Sequence, residues 1–377
     1  MNKNFYNISD YVESERPVTE GTEQLGFQYT RLGHGPSAGV DQVTLHCGSK
    51  KLVVLPTRGM GIWEAKNADV RFGWNSPIQG PVHPMFVPVA EPSGLGWLEG
   101  FDEMLTRCGL ASNGAPDFHE QGNLLWPLHR RVANLPASNV SVEIDEAAGE
   151  ITIRGTVNEF RFHIRKLQLK TEISMQLDSN EISIVDRVSN LSNRPGSFQM
   201  LYHCNFGAPV LEPGSRFVAP IKKLVPRDPH AASGIDQWDV YGPSDAKETE
   251  QVYFMELAAD ENDDSIALLT SPDESRGVSI GHNVSTLPCF TLWKNTVGWD
   301  DGYVTGLEPG TNFPNPRSFE ESQSRAVELA PSASQTMQLK IGLLADSESV
   351  SEVKQKVESL KPSDPEVANS PTDNWCA

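Results

Sequence analysis

The chain has no run of eighteen or more apolar residues, so its sequence offers no membrane-spanning helix. Cysteine is sparse. Cys47, Cys108, Cys204, Cys289 and Cys376 lie far apart and are odd in number, and no CxxC or HxxxH pair is present. That spacing argues against a disulfide framework or a structural zinc site, so neither a metal nor a cofactor is expected. Basic residues are outnumbered, 31 against 50 acidic ones, which gives a net charge of −19. Such a surface repels phosphate backbones and anionic lipid, and no nucleic-acid or membrane partner is expected. The opening stretch MNKNFYNISDYVESERP is polar and lacks the apolar centre of a secretory signal. Together with the reduced cysteines this points to a cytoplasmic protein. Internal repeats and low-complexity tracts are missing too, and helical periodicity is scarce.

What is abundant is short alternation of apolar and polar residues, broken by Gly, Pro, Asn and Asp. Residues 43–56, 140–157 and 336–345 show it, and 167–192 shows it on both sides of Asp178-Ser179-Asn180, which reads as a hairpin. The pattern predicts a mainly antiparallel, all-β molecule with one face of each strand buried, on the scale of a large sandwich. Three regions depart from it. Residues 75–137 are rich in Gly, Pro, His and Trp, with a short helix expected over 99–110. Residues 226–250 read as an excursion between strands. Residues 347–360 read as an amphipathic helix behind a Ser/Asp cap, followed by a flexible extension.

Four clusters are richer in polar and aromatic groups than strand packing requires. In LPTRGMGIWEA, Arg58 follows a strand end and precedes two glycines, placed to clamp a hydroxyl or carboxylate or simply to face solvent. In LLWPLHRRVANLPA, Trp126 is an aromatic platform suited to a sugar face, while His129, Arg130 and Arg131 supply donors; a core histidine is the plainer alternative. In FQMLYHCNFG, alternation sends His203 and Asn205 to one face and Cys204 to the other, which argues against a shared metal. In GLEPGTNFPNPR, Glu308 ends an apolar run and enters a turn, the setting of a general base held partly out of water, or of an ordinary turn glutamate. A histidine and a glutamate of this kind are enough to open and reclose a sugar ring: one removes the anomeric hydroxyl proton while the other protonates the ring oxygen.

The ordered series RGM, LHRR, YHCNFG and GLEPGTN resembles the galactose mutarotase-like superfamily, and more closely its aldose 1-epimerase-like branch, over residues 40–345. The resemblance implies a β-supersandwich with a sugar cleft over one sheet: residues 1–39 as a polar lead-in with the first strands, 40–346 as the supersandwich, and 347–377 as a C-terminal helix and acidic tail. It implies His203 as catalytic acid, Glu308 as general base and His129 as a further substrate-binding histidine. An arginine, Arg131 or Arg58, is expected at the sugar hydroxyls, with Asn205, Trp126, Asn312 and Asp301 as further candidates; Asp239 competes with Asp301. Arg130 stands where the family has glycine, and could narrow the cleft or recognise an anionic sugar. The expected activity is anomer interconversion of a sugar or sugar derivative. The alternatives are a carbohydrate-binding protein without turnover, or another isomerase or lyase on the same scaffold. A metal-assisted variant of the latter would draw on His119, Glu120 and His129.

Overall fold

The computed structural model describes residues 3–14 and 16–377. Among them two large sheets dominate, one of nine strands and one of fourteen, and all but one of the pairings are antiparallel. The hairpin read from the sequence is present: Arg165–Gln176 pairs with Glu181–Asn190 in the nine-stranded sheet. Its alternation explains the layer. In the second strand Ile182, Ile184, Asp186 and Val188 are buried while the residues between them reach the outer side. The facing sheet contributes Phe27, Leu45, Val54, Ile62, Met200, Tyr202 and Cys204, and the two inner faces merge into one apolar core.

Five strands of the fourteen-stranded sheet position the site. They are β1 (Leu105–Leu110), β2 (Gly196–Phe206), β3 (Gln251–Leu257), β4 (Cys289–Asn295) and β5 (Val304–Gly310), in the spatial order β1-β2-β5-β4-β3. The outer face of β3 and the start of β4 is covered by Phe313 and Trp375, and that of β1, β2 and β5 by the loops of residues 75–137. Trp74, Trp97, Phe101, Cys108, Leu201 and Val304 pack there as a separate apolar cluster.

The helix expected over 99–110 does not form. Gly96–Gly100 is a single 3-10 turn, and Leu105–Leu110 is β1, paired along Gln199–Cys204 of β2. Every residue of β1 is buried, and tertiary pairing outweighs the local preference for helix. Helix α1 (Ser347–Leu360) starts at Asp346, whose carboxylate accepts the Ser349 amide, and it buries Val350, Val353 and Val357. The segment after it is docked, in contrast to the flexible extension expected. Glu366–Val367 pairs in parallel with the strand Ile221–Pro226, and Trp375 is buried against Phe313 with ring centroids 4.6 Å apart. The buried indole is what holds this polar tail in place. Among the described residues no helix is long and apolar enough to cross a membrane.

Candidate active site

Strand alternation puts every second side chain of β2 and β5 on the outer face, under the covering loops. One residue along from the Cys204–Leu307 pair, His203 and Glu308 face each other across the two strands. His203 Nε2 lies 3.2 Å from Glu308 Oε1, and both side chains are almost fully buried. Cys204 points the other way, into the core between the sheets. On the far side of Glu308, Thr291 of β4 completes a row of three polar side chains. Gly306, two residues before Glu308, leaves the space these groups occupy. A Cβ there would stand 2.2 Å from Glu308 Oε1 and 3.2 Å from His203 Cε1.

The protonation pattern follows from the hydrogen bonds. The Asn205 amide donates through Nδ2 to the carbonyls of Glu103 (3.0 Å) and His203 (3.2 Å). Its Oδ1 therefore faces His203 Nδ1, at 2.6 Å, and Nδ1 carries the proton. Nε2 is left facing Glu308. Burial, and secondly the neighbouring His129, hold the His203 pKa well below the usual histidine value. Burial, and secondly the charge of Glu250, push Glu308 well above the usual carboxylate range, with Arg227 pulling the other way. Both shifts favour neutral groups, so the pair holds one proton between Oε1 and Nε2. The contact is close but not aligned as a hydrogen bond, and Glu308 Oε1 has no other partner among the described residues. A buried oxygen left in this way is poised to bond a ligand.

His129 is the third member. Its Nδ1 donates to the Asn113 carbonyl at 2.7 Å, leaving Nε2 as an acceptor. Burial lowers its pKa to about 4, so it is neutral. Its ring stands 5.4 Å from that of His203. Trp97, Phe101 and Trp293 ring the histidines at centroid distances of 4.6 to 6.2 Å. These groups line a cleft of about 320 Å³, together with Leu128, Arg227, Glu250, Thr291 and Pro314. That volume suits one small molecule, and aromatic faces suit the C–H faces of a sugar.

The cleft brings His203, Glu308 and His129 together, with Asn205 behind His203 as its positioning partner. The other candidates lie elsewhere. Arg58 is buried outside the cleft, bonded to Glu103 at 2.8 Å, to the Gly100 carbonyl at 2.6 Å and to Asn134. Asn312 is locked in a mutual amide pair with Asn113. Arg131 is exposed at the start of a 3-10 turn, and Asp301 is exposed in another. Asp239 meets Arg216 on the surface. Trp126 stacks with arginines rather than lining the cleft. Arg130 also points away from it, toward Glu159. His119 and Glu120 are exposed in a turn, apart from buried His129.

Sequence reasoning missed Arg227 and Glu250, which bond each other at 2.9 Å on the cleft wall, with Glu250 also accepting from Trp293 Nε1 at 2.7 Å. They stand at the two ends of the 226–250 excursion, and pairing of the flanking strands brings those ends together. That closure was the available signal.

The family model described as Domain of unknown function (DUF4432) matches residues 37–343. Among solved structures, a Klebsiella pneumoniae protein provisionally named an aldose 1-epimerase is 34% identical, with a TM-score of 0.92 over 99% of each chain. A galactose mutarotase-like protein from Clostridium acetobutylicum is 15% identical, with a TM-score of 0.59 over 85% of this chain and 98% of its own. A galactose 1-epimerase from Lactobacillus acidophilus is 11% identical, with a TM-score of 0.55 over 84% and 98%. No curated protein matches the chain.

Proposed function

The chain belongs to the family described as Domain of unknown function (DUF4432) and has the galactose mutarotase-like fold; from that premise we propose that it is an isomerase interconverting the anomers of a sugar or sugar derivative. The observation that carries the reading is the His203–Glu308 pair, 3.2 Å apart and buried in an aromatic cleft. Ring opening needs one proton removed from the anomeric hydroxyl and one delivered to the ring oxygen as the C1–O5 bond breaks. A pair sharing one proton supplies both partners: the unprotonated member accepts while the protonated member donates. Rotation about C1–C2 and the reverse transfers close the ring on the other face, with no net change in protons or electrons. His129, through its free Nε2, accepts a hydrogen bond from a sugar hydroxyl, and Trp97 and Trp293 flank the ring.

The test is the rate of anomer interconversion across neutral, acidic and phosphorylated aldoses, followed by polarimetry or NMR. Wild type should accelerate at least one of them. His203→Ala and Glu308→Gln should each lower the rate by about 10²–10⁴-fold, the usual worth of a positioned acid or base. Failure to accelerate any sugar in the panel would overturn the reading.

A further inference from the structure

Outside the cleft, three guanidinium groups surround one indole: those of Arg130, Arg165 and Arg317 stand 5.5, 5.1 and 5.2 Å from the Trp126 ring centre. Arg317 is satisfied, bonding Glu321, Ser197 and the Ala111 carbonyl. The other two share one carboxylate. Arg165 bonds Glu159 Oε1 at 3.1 Å, and the Arg130 Nε, 3.4 Å from that same oxygen, has no hydrogen-bond partner among the described residues. Glu159 Oε2 is taken by the amides of Leu110 and Ala111. One carboxylate thus serves two guanidiniums whose side chains are only 13% and 14% exposed. Burial lowers the pKa of both, against the pull of Glu159, and neighbouring arginines lower it further. The backbone is strained to hold this arrangement. His129 and Arg130 are consecutive non-glycine residues at φ 50° and 58°, a region that disfavours any side chain.

We infer that Arg130 and Arg165, flanked by Trp126, form an oxyanion-binding site one residue beyond the cleft histidine His129. In a chain of net charge −19, two nearly buried guanidiniums that share one carboxylate, one of them on a strained turn, are costly without a ligand. A tetrahedral oxyanion such as phosphate matches the planar fork of each group and supplies the missing charge. The oxyanion is either free or part of a phosphorylated sugar. The site stands independently of the isomerase reading.

Thermal unfolding in inorganic phosphate, against chloride at equal ionic strength, tests it. Wild type should gain about 2 °C at ten times Kd. Arg130→Gly should unfold no earlier than wild type without phosphate, because it relieves both strain and charge, and it should lose the phosphate response. Arg165→Gln should lose that response as well. A wild-type Tm indifferent to phosphate would overturn the inference, as would an unaltered response in both variants. A marked loss of Tm in Arg130→Gly without phosphate would assign the arginine a structural role instead. Glucose 6-phosphate separates the two sources. Saturation at much lower concentration than phosphate assigns a sugar-borne anion, and equal affinity a free one; either outcome supports the site.

Discussion

At the scale of single residues, the shared proton of His203 and Glu308 sets the pH dependence. The His203 pKa lies well below its usual value, so the pair takes up a second proton only in acid well below the usual histidine range. The Glu308 pKa lies well above its usual value, so the pair loses its last proton only well above the usual carboxylate range. Activity is expected to be flat between those limits and to fall outside them, and the two limits belong to the pair rather than to either residue. A kcat/KM profile with an acid limb near an ordinary histidine value would contradict this. Asn205→Leu removes the acceptor that fixes the Nδ1–H tautomer. It should lower kcat by about tenfold to a hundredfold with a smaller effect on KM, the range seen when an orienting partner is lost. A change confined to KM would count against a positioning role. Gly306 makes the sharper case. Its added Cβ would collide with Glu308 Oε1, so Gly306→Ala must swing the carboxylate away from His203. Activity should fall as far as in Glu308→Gln, while stability drops by only about 1–3 kcal/mol from overpacking. Anomer rates and urea unfolding on the same variant separate the two effects.

At the scale of elements, the seventeen residues after helix α1 act as a clasp on the cleft side of the molecule. Trp375 stacks on Phe313, which precedes Pro314 in the cleft wall, and the Trp375 carbonyl accepts from Asn315 at 2.8 Å. Trp375→Ala should destabilise by about 3–5 kcal/mol, as large aromatic truncations do, and should raise KM through the loosened Pro314 loop. Unchanged unfolding would show that the tail is not clasped. This docking was illegible in the sequence because its polar composition hides one indole whose pocket is built from Val225, Val252, Phe254, Cys289 and Phe313, all far upstream. The strands were legible, since alternation over 167–192 fixes which side faces the core. Alternation likewise separates His203 from Cys204, whereas Glu308, read as entering a turn, lies inside β5 with the strand running on to Gly310. The arginines were not legible. Arg58 finds Glu103 forty-five positions away and Arg107 finds Asp186 seventy-nine away. Nothing local reveals whether such a partner will come and turn a candidate ligand into part of the scaffold. The 99–110 segment failed for a related reason: its helix-like composition is overruled by the strand Gln199–Cys204 that pairs with it.

At the scale of the whole molecule, a buried ion pair ties the two sheets through their apolar core. Arg107 of β1 meets Asp186 of the nine-stranded sheet with two hydrogen bonds, at 2.5 and 3.1 Å, and both side chains are fully buried. Two further donors go to the Met60 carbonyl and to Thr171 Oγ1, each at 2.8 Å. Asp186→Ala would leave that guanidinium without its counter-charge and should cost about 3–5 kcal/mol, whereas Arg107→Met combined with Asp186→Leu should recover most of the loss. Salt distinguishes this tie from the charge of the molecule as a whole. The net charge of −19 makes the folded surface repel itself, and added salt screens that repulsion, so urea unfolding of wild type should shift to higher denaturant as salt is raised. The Arg107–Asp186 pair is shielded from solvent ions, so the difference between wild type and Asp186→Ala should stay constant across the same series. A difference that shrinks with salt would mean that water and ions reach the pair, and that the two sheets are not sealed against each other as their packing implies.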